Sequence, residues 1–105
     1  MPPDPGLVAR VADALDQLGE RTLRQKNIFG GRGFMRGGRA VVIVWHDNLL
    51  VKLARAEVNV ALTEPGVTPF APNGERPSAN WVIIAADAVA DDPDLQRWLR
   101  RALGH

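Results

Sequence analysis

The hydrophobic patterning predicts an α+β domain of two layers, with a helix at each end of the chain and short antiparallel strands between them. Three features carry that expectation. Leu7, Val8, Val11, Leu15 and Leu18 recur at intervals of three and four, as on one face of a helix. Asn27 to Leu53 reads as three strand-like runs joined by two tight turns, Gly37-Gly38 and Asp47-Asn48. The chain closes on Asp92 as N-cap, Pro93 and Asp94 in the first turn, an apolar stripe of Leu95, Trp98, Leu99, Ala102 and Leu103, and Gly104 just beyond.

Taken in order, residues 1–6 hold three prolines and a glycine and read as a flexible lead-in, and residues 7–105 as a single domain. The first helix ends near Gly19, and Arg21 to Lys26 links it to the sheet. Two-residue turns set Phe34 opposite Val41, Arg32 opposite Ile43 and Gly30 opposite Trp45, then Trp45 opposite Leu50 and Ile43 opposite Lys52. Because strand side chains alternate, this register predicts a core face of Phe29, Gly31, Gly33, Met35, Val42, Val44, Leu49, Val51 and Leu53. The opposite face then carries Arg32, Phe34, Val41, Ile43, Trp45, Leu50 and Lys52, too apolar a set to face water alone.

Ala54 to Leu62 predicts a short helix turning Val58, Ala61 and Leu62 inward, stopped by Pro65-Gly66. Thr68 to Ala79, with its prolines and an Asn73-Gly74 turn, reads as a loop with at most a short edge strand around Phe70. Asn80 to Ala85 is a strand, and Trp81 and Trp98 fall on periodic apolar faces as core residues. The predicted order is α-β-β-β-α-β-β-α, with a sheet of four to five strands.

Composition narrows the function classes. The chain of 105 residues has no cysteine, so neither disulfides nor thiolate metal ligands enter, and a reducing, cytoplasmic setting is expected. No run approaches the length of about 18 apolar residues that spans a bilayer, and MPPDPG has no signal-peptide character. The net charge is only +1, but Arg21, Arg24, Lys26, Arg32, Arg36 and Arg39 precede His46 without an intervening acid, whereas Asp87 to Asp94 is acidic.

Motifs for chemistry are sparse. Gly30-Gly31-Arg32-Gly33 resembles a phosphate cradle, but Arg36 stands where a dinucleotide fingerprint needs glycine, no GKS or GKT follows, and the run enters a strand. Its glycines read as packing and turn devices. Ser78 is the sole serine, and no nucleophile elbow ties it to His46. Asp91, Asp92 and Asp94 suit a helix start better than a metal site. No catalytic residue, metal or cofactor is assigned.

Several segments in fixed order carry a family likeness. Lys26 to Met35 with Phe29-Gly30-Gly31 and Gly33-Phe34-Met35, then Leu50 to Leu53, Glu64 to Phe70, Arg76-Pro77 before Asn80-Trp81-Val82, and Asp94-Leu95 to Trp98-Leu99 together resemble the TfoX N-terminal domain (TfoX/Sxy) family over roughly residues 7–103. Ile28 stands where that family often has methionine, and Ser78 and Asn80 depart from its usual RPM-containing segment. The YjbR-like family is similar in the later half but lacks the FGG opening.

The resemblance implies a helix-flanked antiparallel sheet similar to secretion-chaperone-like domains, which commonly dimerise. It also implies a bacterial, cytoplasmic, non-enzymatic protein, linked at family level to competence or transcription regulation. The founding competence regulator has a further helical domain with no counterpart after His105 in this sequence.

Three functional expectations follow. The first is a stand-alone protein-interaction or regulatory module, a homodimer or bound to another protein, with Arg32, Phe34, Val41, Ile43, Trp45, Leu50 and Lys52 as the contact face. The second is weak nucleic-acid binding through Arg21, Arg24, Lys26, Arg32, Arg36 and Arg39. The third is a small anionic ligand held by Arg32 or Lys52 in an enzyme. No membrane association is expected.

Overall fold

A computed structural model, describing residues 2–104, places three helices against one face of a six-stranded antiparallel sheet. The elements are α1 (Pro5–Gln17), β1 (Arg24–Ile28), β2 (Gly31–Arg36), β3 (Arg39–Trp45), β4 (Asn48–Lys52), α2 (Arg55–Ala61), β5 (Val67–Pro69), β6 (Trp81–Ile84) and α3 (Asp92–Leu103), with a 3-10 turn at Ala86–Val89. The strand order is β1-β2-β3-β4-β6-β5. Among the described residues no helix is long and apolar enough to cross a membrane.

The α+β class is as predicted, but the sheet has six strands and four of them precede α2. The additional strand is β1, of which Arg24 to Lys26 were expected to be a linker and Asn27 and Ile28 to open the next strand. Its sequence, Arg24-Gln25-Lys26-Asn27-Ile28, has no apolar alternation, because an edge strand exposed on its first four residues has little to bury.

Both terminal helices shift slightly from their predicted starts. Asp4 caps α1 by accepting from the Gly6 N–H at 3.2 Å, and its own N–H donates to the His46 carbonyl at 2.7 Å. The predicted lead-in is therefore shorter than residues 1–6, with Met1 outside the described residues. At α3 the N-cap is Asp91, one residue early, and the Asp92 carboxylate pairs with Arg10 at 3.1 Å. Arg10 also donates to the carbonyls of Val89 and Ala90, tying α1 to the entry of α3.

The Gly37-Gly38 hairpin turn forms as expected, with φ of 58° and 81° and Arg36 opposite Arg39. A bulge follows. Met35 pairs with Ala40 but Phe34 pairs with Val42, so Val41 is an extra residue that shifts the register by one. A one-residue shift reverses faces. Phe34 and Val41 join the helix-covered core with Val42, Val44, Leu49 and Val51, correcting their predicted place on the opposite face. Arg32, two residues from Phe34 and opposite Val44, turns with them.

The same reversal removes Phe29, Gly31, Gly33 and Met35 from the predicted core face. Gly33 packs beneath Ile28, which belongs to the cluster on the other side of the sheet. The β3–β4 turn is His46-Asp47, with Trp45 opposite Asn48 and Ile43 opposite Leu50. That is a two-residue offset from the predicted pairing, so Ile43, Trp45, Leu50 and Lys52 keep their face.

The helix-side core draws on Leu7, Val11 and Leu15 of α1, Val58 and Ala61 of α2, and Leu95, Trp98, Leu99 and Leu103 of α3. Each fully buried aliphatic side chain contributes about 1.5–3 kcal/mol of transfer free energy. Trp98 is core as predicted, with the Arg101 guanidinium 4.2 Å from its ring centre, whereas Trp81 lies half-buried in the other cluster. Glu64, just after α2, binds Arg97 at 3.0 Å and Arg101 at 2.7 Å and so fastens this end of the molecule to α3.

Candidate functional site: an aromatic cleft on the helix-free sheet face

The helix-free face has its own small apolar cluster, Ile43, Leu50 and Phe70, with Ile28, Ala40, Trp45, Trp81 and Ile83 around it. Ile43 and Leu50 are 1% and 0% exposed, so neither is available to a partner. Phe70 joins them because the chain leaves β5 at Pro69 and folds back, with the Phe70 carbonyl accepting from the Ser78 N–H at 2.6 Å. The segment read as a loop with at most a short edge strand around Phe70 thus supplies the edge strand β5 just before Phe70 and roofs part of the sheet.

Beside this roof lies a cleft of about 650 Å³, lined by Phe29, Trp45, Pro69, Phe70, Ala71, Pro72, Gly74 and Ile83. The Phe70 ring meets Trp45 edge-on, at 6.0 Å and 71°, and Phe29 at 6.1 Å and 58°. His46 supports the Trp45 ring at 4.4 Å. Its Nδ1 is buried without a hydrogen-bond partner among the described residues.

Phe29 forms the outer wall under unusual constraint. Phe29 and Gly30 make the two-residue turn between β1 and β2, with φ of 55° and 78°. A side chain in that left-handed region costs about 1–2 kcal/mol, and asparagine or glycine normally takes the position. Phe29 remains 64% exposed, so burial does little to offset that cost.

The glycines that follow sit at tight contacts within the sheet. A Cβ on Gly31 would run into the Val44 carbonyl oxygen, and one on Gly33 would lie 2.6 Å from the Ile28 Cδ1. Both permit close packing within the sheet, as the sequence reading held.

The predicted contact face is divided by the sheet. Arg32, Phe34 and Val41 lie on the helix side, Ile43 and Leu50 are buried beneath Phe70, and Trp45 lines the cleft. Lys52 sits at the other end of β4, opposite Trp81.

The basic set is dispersed as well. Arg21 pairs with Asp16 at 3.2 Å, Arg36 with Glu20 at 3.2 Å, and Arg32 donates to Gln25 at 3.1 Å. Arg39 and Lys52 border a separate groove of about 410 Å³, with Arg36 and Arg101. Arg24 and Lys26 share the helix-free face with Ile28 by strand alternation.

Ser78 and His46 lie toward opposite ends of the β4–β6 pair, and the Ser78 hydroxyl accepts from the N–H groups of Asn80 and Trp81 at 3.2 Å each.

Of the cleft residues, sequence reasoning found only Trp45 and missed Phe29, Ile83 and the stretch from Pro69 to Gly74. For Phe29 the sequence carried no turn signal, because the position before the turn glycine normally holds asparagine, aspartate or glycine.

Fold and site together define a two-layer α+β domain backed by three helices, with an aromatic cleft on its helix-free face. The family model of the TfoX N-terminal domain matches residues 13–105, and the chain belongs to that family. Comparison with curated proteins and with solved structures gives no match.

Proposed function

We propose that this TfoX N-terminal domain is a non-catalytic protein-binding module of regulatory type, and that the cleft walled by Phe29, Trp45 and Phe70 is its contact surface. The observation that carries the reading is Phe29, a large aromatic held in a costly backbone conformation while 64% exposed. Such strain persists where the surrounding structure enforces it, and clusters at binding sites. Aromatic anchors beside apolar pockets are the usual centres of protein interfaces.

The lining supports a binding role over a catalytic one, since its side chains offer no acid, base or nucleophile. Nucleic-acid binding is less well supported, because the six basic residues do not form one patch. The expectation of a homodimer rested on Val41, Ile43, Leu50 and Trp45 as one exposed surface. Of these only Trp45 is accessible, which favours a different protein as partner.

Affinity capture from native cytosol with the wild-type chain and with Phe29→Asn, Trp45→Ala and Arg100→Glu tests the reading. Partners are expected on wild type and Arg100→Glu and lost from the two cleft variants. Equal recovery on all four would overturn the assignment of the cleft.

A further inference from the structure

Phe29, which walls the cleft, directly follows β1, and β1 stands at the end of the strand order with its first four residues exposed. Its outward N–H and C=O groups are a template for another strand. The opposite edge is less suited, since β5 has only three residues and ends on Pro69, which has no N–H.

Charge sets the character of whatever pairs there. Arg24 and Lys26 project on the helix-free side, and neither has an ion-pair partner among the described residues. No acidic residue occurs between Arg21 and His46. A second copy pairing antiparallel about the middle of β1 would set Lys26 against Lys26, and like charges directly opposed are destabilising. An acidic strand meets the same groups favourably.

Beyond the cations the row continues into apolar surface. Along the helix-free side β1 presents Arg24, Lys26 and Ile28, and the chain then turns at Phe29, the wall of the cleft. We infer that the β1 edge takes an extended acidic peptide of a partner protein by strand addition, with an apolar side chain of that peptide reaching the cleft at Phe29. This rests on the protein-binding reading above. The spacing specifies the peptide: two acidic residues at alternate positions opposite Arg24 and Lys26, then an apolar or aromatic residue two positions further, in either chain direction.

Selection of a random peptide-display library on the full chain tests this, followed by amide chemical-shift mapping of the selected peptides. The expected consensus is acidic-x-acidic-x-apolar or its reverse. Its binding shifts the amides of Arg24 to Phe29 and the Trp45 indole, and weakens at least tenfold in Arg24→Glu/Lys26→Glu and in Phe29→Asn.

Selected peptides that lack acidic residues and map to the cleft alone overturn strand addition while leaving the protein-binding reading intact. Failure to enrich any peptide overturns the inference. If oligothymidylate shifts the β1 amides while no peptide does, both readings fall. Self-association mapped to β1 by sedimentation and chemical shift also overturns the acidic-peptide assignment, in favour of a second copy.

Discussion

The ring of Phe29 stands 6.1 Å from that of Phe70, tilted by 58°, although the two residues come from a hairpin turn beside one edge strand and from a loop after the opposite edge strand. One ring is buried and the other is 64% exposed. Phe70 completes a core and Phe29 leans on it without being covered, and that asymmetry separates the stability role of one from the proposed contact role of the other.

Replacing Phe29 with asparagine gives the turn the Asn-Gly pair favoured where both residues have positive φ. Relief of the backbone cost is expected to offset the lost ring contact and stabilise the fold by about 0.5–1 kcal/mol, read from chemical denaturation. Partner capture is expected to be lost. A variant both destabilised and fully competent in capture would refute the account of this turn.

Phe70→Ala uncovers Ile43 and Leu50, which the helices do not reach. The expected cost is about 3 kcal/mol, with new binding of a hydrophobic dye by the native state. A cost below about 1 kcal/mol would mean that the loop does not serve as a roof.

The two strand glycines are expected to behave differently. Gly31→Ala meets the Val44 backbone, which cannot yield without moving β3, and is expected to cost about 2–3 kcal/mol. Gly33→Ala meets chiefly the flexible end of Ile28, with the Lys26 carbonyl oxygen at an ordinary 3.4 Å, and is expected to cost less than about 1 kcal/mol. Equal costs in denaturation would contradict the packing described.

Glu64 links stability to acid. Burial by itself raises its carboxyl, but the hydrogen bonds and charges of Arg101 and Arg97 outweigh this and hold it below the ordinary 4.5. A lowered carboxylate contributes stability that is fully present above the unfolded-state value and is lost as pH falls through the folded value. Glu64→Gln is therefore expected to lower stability at pH 7 by on the order of 1 kcal/mol, the deficit closing as the pH falls below about 4.5. A deficit that persists unchanged in strong acid would assign it to packing.

Much of the fold was legible because its helices and inner strands announce themselves through apolar periodicity. Leu7 to Leu18, Val58 to Leu62 and Leu95 to Leu103 each gave their helix. The inner strands gave their turns to within one residue. The polar edge strand β1 was hidden, since exposed Arg24 to Asn27 carry no burial signal. The bulge at Val41 was hidden too, because a run of consecutive apolar residues from Ala40 to Val44 pairs equally well in either register. That single insertion moved Phe34 and Val41 to the helix side and brought Phe29 to the other. The cleft depends further on Phe70, whose position is a tertiary fact about a loop that local pattern could not supply.

The central claim is that the surface around Phe29 is where a partner protein sits. The most direct test is photocrosslinking in native cells with benzoylphenylalanine in place of Phe29, compared with the same group in place of Arg100 on the exposed side of α3. The account predicts discrete protein adducts from position 29 and none of them from position 100. An absence of adducts at 29, or the same adducts from both positions, would contradict it.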